Sequence, residues 1–459
     1  MADGLGARKT RVSMPVSTHR PTPYAGPARD EILALRAEYL NPGLLKYYDE
    51  PLCVVEGHMQ YVWDEQGNQY VDCAGGIVSV SVGHCHPKIT ERVREQVGRL
   101  VHTTTLYLHP TIALYARKIA EHMPAGSDLK QTYFGNSGSE ANEYAVMMAR
   151  LYTGRDDVLA LDNGYHGGTG ATMRLTAISD WKFSADAGVN VTYGCPGYCY
   201  RCPFGAQYPE CDLECANNIE TVIQRESTGE PACFIAEPIQ GVGGVIVPPK
   251  EYFQRAYEIV RQYGGLCIAD EVQTGWGRTG ECFWGFENFG VVPDVVTMGK
   301  GVANGAPLSA VTTRPEIAAV LARKLHFNTF GGNPVSCTHG LATLEIIDEE
   351  NVQQHAKDVG GYFKTRLLEL RDKHAFIGDV RGMGLLLAIE LVEDRKSKQP
   401  ATERTERVVE LLKTRRVLVG KSGSAWNTIR FAPPMCISKA DVDYVIDALD
   451  LSLAEVGQV

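Results

Sequence analysis

Short apolar runs recur through the middle of the chain at Val158-Leu-Ala-Leu, Cys233-Phe-Ile-Ala, Leu266-Cys-Ile-Ala, Val295-Val-Thr-Met and Leu308-Ser-Ala-Val, separated by glycine-rich turns and longer amphipathic stretches. Runs of this kind suit strands buried on both faces, and their alternation with amphipathic segments predicts an α/β fold with a mostly parallel sheet covered by helices. Beyond residue 346 the texture changes to charged amphipathic helix, over 349–371, with strand-like runs at 385–389 and 417–419, which predicts a second lobe. The alternation over 60–72 reads as a hairpin that joins that lobe. Gly76-Ile-Val-Ser-Val-Ser reads as a strand lining a substrate pocket, with Trp426 beside it.

Sheets of this type bind ligands beyond the carboxyl ends of their strands, and Glu237, Asp270 and Lys300 all fall there. Lys300 is flanked by glycines and follows Asp270 by thirty positions. A lysine amine can hold an aldehyde cofactor as a Schiff base, while a carboxylate can keep a pyridine nitrogen protonated. Asp270 closes an apolar strand, where a buried carboxylate calls for a cationic partner such as a pyridinium.

Phe134-Gly-Asn-Ser-Gly-Ser-Glu places small residues before the helical run 141–152, so that free amides and the Ser139 hydroxyl can accept a phosphate. Ser137 at the cap with Glu140 three positions on also fits an ordinary helix start. Tyr165 follows a strand and can lie flat on a pyridine ring with His166 supporting it, or simply pack. Glu237 is placed to orient the site, Gln273 to donate to the cofactor's phenolic oxygen, and Val272 to press on the second ring face.

Asn136-Ser-Gly-Ser-Glu-Ala, Tyr165-His-Gly, Glu237-Pro-Ile-Gln-Gly, Asp270-Glu-Val-Gln-Thr-Gly, Gly299-Lys-Gly and Thr329-Phe-Gly-Gly-Asn-Pro occur in this order. With them the chain resembles the class III aminotransferases of pyridoxal phosphate fold type I, from about residue 45 to the C-terminus. The resemblance implies a large domain (86–345) with a mostly parallel seven-stranded sheet that binds pyridoxal 5'-phosphate. It also implies a smaller α+β domain assembled from 31–85 and 346–459, after an arm over 1–30. It gives Lys300 the Schiff base, Asp270 the ring nitrogen, and Gly138 and Ser139 the phosphate. Thr329 would reach the phosphate of the neighbouring subunit's cofactor, which implies a homodimer with shared active sites, or a tetramer.

Arg430, in Thr428-Ile-Arg-Phe-Ala-Pro-Pro, matches the family arginine that binds the substrate carboxylate with a planar fork of donors. Members acting on distal amines carry a glutamate, five positions after the one matching Glu237, that neutralises this arginine. Here the position is Val242, and Gly168 stands where such members often place an arginine after Tyr-His-Gly. The implied reaction is ping-pong transfer of an amino group from alanine or a beta-amino acid to glyoxylate or pyruvate. Within the family, the segments 268–278 and 327–334 and a cysteine-rich insert are most similar to alanine-glyoxylate aminotransferases of the second type and their bacterial relatives. The alternatives are a phospho-lyase or a dialkylglycine-type decarboxylase using the same cofactor, and a metal-binding protein centred on the cysteines.

Composition narrows the partners. A net charge of -10 repels polyanions, so no nucleic-acid partner is expected, and no apolar run is long enough for a membrane span. The first 30 residues are basic, as in a transit peptide, but four prolines break the helix such a peptide needs, so they read as a flexible arm. A cytoplasmic enzyme is expected, with the mitochondrial matrix as the second compartment. The 13 cysteines form no disulfide framework, being odd in number in a long chain. Cys195, Cys199, Cys202, Cys211 and Cys215 have spacings that zinc thiolate sites use, yet lie close together without matching histidines, and His84-Cys-His86 fits a family turn, so no metal is assigned.

Overall fold

The computed structural model describes residues 10–183 and 188–457. After a helix over Arg29–Tyr39, its first strands form the antiparallel meander β1 (Val54–His58), β2 (Tyr61–Asp64) and β3 (Gln69–Asp72). Next come β4 (Gln131–Gly135), β5 (Asp157–Leu161), β6 (Val191–Gly194), β7 (Pro231–Ala236), β8 (Leu266–Asp270), β9 (Val295–Met298) and β10 (Ser309–Thr313). These build a seven-stranded sheet of order β4-β10-β9-β8-β7-β5-β6. Its only antiparallel pairings are those of β10 with β9 and β4, so the sheet is mostly parallel as expected.

The unbroken apolar runs are explained by burial on two faces. Val158, Ala160, Cys233, Ile235, Leu266 and Ile268 pack into one core beneath helix α1 (Gly138–Thr153), whereas Leu159, Leu161, Phe234, Ala236, Cys267 and Ala269 enter the other. Successive side chains thus alternate between two apolar environments, and polar alternation has no place. One covering helix on this sheet is α2 (Glu214–Glu226), which presents Ile219, Val222 and Ile223 to the second core.

The remaining strands are β11 (Ile377–Met383), β12 (Leu386–Leu391), β13 (Val417–Leu418), β14 (Gly420–Ser422) and β15 (Thr428–Phe431). Four of them form an antiparallel sheet of order β11-β12-β15-β14, and β13 pairs in parallel with β3. The hairpin read over 60–72 therefore joins the C-terminal part of the chain through one shared sheet. The helix expected from 349 begins at Val352 as α3 (Val352–Lys373), because Asn351, at φ +52°, separates it from the helix Pro334–Glu349.

Two expectations need correction. Gly76–Ser81 is not a strand. Gly75, Gly76, Ile77 and Val78 all have φ between +56° and +63°, a left-handed turn in which β-branched residues are strained. A side chain at Gly75 would run into the carbonyl of Ala432, so the turn is wedged between backbones. Of the arm read as flexible, residues 1–9 lie outside the described residues, and the following part is held in place. Arg11 pairs with Asp447 at 2.7 Å and Asp450 at 2.6 Å, and the Gln69 amide donates to the Pro15 carbonyl at 2.8 Å.

Candidate active site

The carboxyl ends of β7, β8 and β9 deliver Glu237, Asp270 and Lys300 to one cleft of about 170 Å3. Its wall also includes Gly138, Ser139, Tyr165, His166, Val272 and Gln273, so nine of the residues singled out in the sequence meet there. Ser137, Thr329 and Arg430 lie outside this wall. Ser137 accepts from the Glu140 amide at 3.2 Å as the cap of α1. Thr329 is exposed.

Asp270 is fixed from both sides. Its Oδ2 accepts from Asn142 Nδ2 at 2.8 Å and faces His166 Nδ1 at 2.7 Å, while Oδ1 accepts from the Val272 amide at 3.1 Å. An ionised carboxylate can only accept, so with Asp270 ionised His166 Nδ1 would be the donor of this pair. Asn142 also donates to the His166 carbonyl at 2.8 Å. Sequence reasoning missed Asn142, although it stands one turn into α1 from Gly138, on the side that faces the strand ends.

Glu237 accepts from the Tyr165 amide at 3.0 Å and the Gly241 amide at 2.9 Å. Burial, and then the nearby Asp270, push its pKa up to about 7. Burial pulls the Lys300 amine below its ordinary value, Asp270 and Glu237 oppose this, and Arg430 reinforces it. Lys300 itself stands at φ +46°, a conformation that a non-glycine residue keeps only when its surroundings hold it.

Arg430 is buried on β15, and burial lowers its pKa. Its Nη1 donates to Gln273 Oε1 at 3.1 Å. Because arginine has no acceptor, the facing atom of Gln273 must be its carbonyl oxygen. No ion pair to Arg430 exists among the described residues. Trp426 does not line the cleft. Its indole donates to Asp180 at 2.6 Å and lies 6.0 Å from Trp181, whose ring is 5.3 Å from Tyr165.

The cleft floor is shaped by glycines. A Cβ on Gly299 would come within 3.2 Å of Gly138 Cα and N, one on Gly138 within 3.1 Å of Val272, and one on Gly167 would strike the Ser139 hydroxyl. Backbone thus approaches backbone where the amides of Gly138 and Ser139 open α1, a helix start suited to an anion.

Residues 46–453 match the family described as Aminotransferase class-III. The chain belongs to the class III aminotransferases. It is 47% identical over 443 residues to the mitochondrial alanine–glyoxylate aminotransferase 2 homolog 2 of Arabidopsis thaliana, covering 96% of this chain and 91% of that one. It is 41% identical over 470 residues to the mitochondrial alanine–glyoxylate aminotransferase 2 of Homo sapiens, covering 97% and 90%. Among solved structures it resembles an (S)-enantioselective omega-transaminase from Thermomicrobium roseum, with a TM-score of 0.87, 32% identity and coverage of 94% and 100%. A phospholyase from Arthrobacter in complex with phosphoethanolamine matches with a TM-score of 0.85, 32% identity and coverage of 92% and 99%.

The family implies pyridoxal 5'-phosphate, and the cleft of this class III aminotransferase fits it on its own evidence. A buried carboxylate faces the cavity, the glycine cradle leaves room at a helix start, and His166 Nε2 is a buried polar atom without a partner among the described residues. The cysteines from Cys195 to Cys215 are free thiols. Among the described residues, no three His, Cys, Asp or Glu side chains are grouped to hold a metal ion. No helix among them is long and apolar enough to cross a membrane.

Proposed function

We propose that this aminotransferase moves an amino group from alanine or a beta-amino acid to glyoxylate or pyruvate, by a ping-pong mechanism. Pyridoxal 5'-phosphate supplies an aldehyde carbon that accepts amines and a ring that withdraws electrons from the substrate. Lys300 would be its attachment point, and Asp270, steadied by Asn142 and His166, would pair with the ring nitrogen. The Gly138 and Ser139 amides would receive the phosphate, and Tyr165 and Val272, which line the same cleft, would confine the ring. Lys300 Nζ would take the proton from the substrate carbon and return it to the cofactor carbon, a task that burial favours by lowering its pKa.

The observation that carries the substrate assignment is Arg430, held by Gln273 and paired with no carboxylate among the described residues, with Val242 where a lid glutamate would stand. A buried guanidinium in this state selects a carboxylate close to the reacting amine. The names of the two aminotransferase relatives support alanine and glyoxylate among these substrates.

Thr329 is exposed beside Phe330, which lies 5.2 Å from His102, and Leu106, Tyr107 and Leu108 are exposed on the same segment as His102. An apolar surface that carries a residue matched to cofactor binding supports a homodimer in which each Thr329 serves the other cleft. Compartment is read as cytoplasm or mitochondrial matrix, the relatives' names favouring the second.

The test is to incubate the purified holoenzyme with alanine and glyoxylate and quantify pyruvate and glycine. Arg430→Gln should raise the KM for alanine by about 100-fold, the scale of a lost charged hydrogen-bonded pair. An unchanged KM, or release of inorganic phosphate from phosphoethanolamine in place of transamination, overturns the assignment.

A further inference from the structure

The cysteine-rich insert between β6 and α2 has no part in the chemistry above, yet it reaches across to the sheet that carries Arg430. The meeting point is Glu390 on β12, which is almost fully buried. Tyr198 donates its hydroxyl to one Glu390 oxygen, and Arg201 Nε donates to the other at 2.6 Å, both from the insert. Arg381 on β11 approaches the same carboxylate at 2.7 Å, with its guanidinium 5.0 Å from the centre of the Tyr198 ring. A second tie runs from Lys398 to the Tyr200 carbonyl at 2.6 Å.

This collar borders the substrate arginine. In the register of β12 with β15, Glu390 pairs with Thr428 and Ala388 with Arg430, and Ala388 is also opposite Arg381. Arg381 Nε donates to the Gly244 carbonyl at 2.8 Å, and the Gly423 amide donates to the Val242 carbonyl at 2.8 Å. The loop that follows Glu237 is thereby stitched to the same strands. At its other end the insert is anchored to the large sheet's helices, where Tyr252 donates to the Cys195 carbonyl at 2.6 Å and Asn218 accepts from the Cys195 amide at 2.9 Å.

We infer that Tyr198, Arg201 and Arg381, gathered on Glu390, are positioning residues that brace β15 against the large sheet and so hold Arg430 at the distance a substrate carboxylate requires. A buried carboxylate with several charged or hydroxyl donors keeps one arrangement, because removing any donor leaves part of it unpaired. The insert thus acts on carboxylate recognition from outside the cleft, an inference that rests on the reading of Arg430 given above.

The decisive measurements use the holoenzyme with Arg201→Ala, Arg201→Lys and Tyr198→Phe, since Glu390→Gln, at the buried centre, is the variant most exposed to misfolding. Propionate, a carboxylate without an amine, is titrated for its Kd, and hydroxylamine, an amine without a carboxylate, for its rate of reaction with the bound cofactor. Arg201→Ala should weaken propionate and raise the KM for alanine by roughly tenfold, with kcat and the hydroxylamine rate within twofold of wild type. Arg201→Lys should restore most of the loss. If Arg201→Ala only lowers Tm, or slows hydroxylamine as much as it weakens propionate, the collar is a general structural element and the inference fails. If Arg430→Gln weakens propionate but Arg201→Ala and Tyr198→Phe do not, the Arg430 reading stands and the collar alone is refuted. If Arg430→Gln leaves propionate binding intact, both fall.

Discussion

Asn142 shows how much of an active site can rest on a neutral amide. Its Nδ2 is shared between the Asp270 carboxylate and the His166 carbonyl, so it fixes the acid and its histidine partner together. Asn142→Ala should remove a hydrogen bond to a charged group, a loss of about 1.5–3 kcal/mol, and weaken cofactor binding by roughly ten- to a hundredfold. Fluorescence titration of the cofactor-free protein reads this directly, and an unaltered affinity excludes the role. Asn142 was illegible in the sequence because an amide one turn into a helix carries no signature of its own. Lys300, Asp270 and Glu237 were legible because a charged residue closing an apolar run is anomalous unless it has work to do.

Glu237 allows a second prediction at this scale. Burial and Asp270 raise its pKa from 4.5 to about 7, so the cofactor-free fold binds a proton that the unfolded chain has released. Its contribution to stability is therefore full below pH 4.5 and is lost as pH rises to about 7, by an amount on the order of 3 kcal/mol. Glu237→Gln does not titrate. The Tm of the cofactor-free variant minus that of wild type should climb across that window and level off above it. A difference that stays flat between these limits would show that Glu237 is not buried as an acid.

At the scale of elements, neighbouring glycines in α3 should respond in opposite directions. Gly360 faces the turn between β11 and β12, where an added Cβ would run into the Gly384 carbonyl. Gly361 is exposed, with nothing within 4 Å of its would-be Cβ. Gly360→Ala should therefore destabilise by about 3 kcal/mol through overpacking, whereas Gly361→Ala should stabilise by about 0.5–1 kcal/mol by lowering the helix's entropic cost. Thermal unfolding of the two variants settles the sign of each, and a stabilising Gly360→Ala would mean that the hairpin turn does not seat on the helix as described. Five strands of the large sheet, β5 and β7 to β10, could be read from sequence because they are buried throughout, whereas the edge strands β4 and β6 are only partly buried and gave no such run. Gly75–Val78 could not, since its backbone is left-handed and Gly75 packs against the Ala432 carbonyl, a neighbour hundreds of positions away.

At the scale of the whole molecule the cleft is open-ended. The residues proposed for the ring, the aldehyde and the phosphate line it, whereas Thr329, the residue matched to phosphate in the family, is exposed next to Phe330 and is not among the lining residues. The proposed dimer accounts for that placement if the surface carrying Phe330, Leu106 and Leu108 is buried against a second copy that presents its own cleft to Thr329. Two variants then separate assembly from contact. Phe330→Asp buries a charge in that interface and should yield a monomer by light scattering that releases the cofactor on gel filtration. Thr329→Ala should remain dimeric and lose only about tenfold in cofactor affinity, one phosphate hydrogen bond. A wild-type protein that is monomeric at micromolar concentration yet retains its cofactor would remove the need for a second chain. A Thr329→Ala dimer with full affinity would leave the dimer in place and deny it the shared phosphate contact.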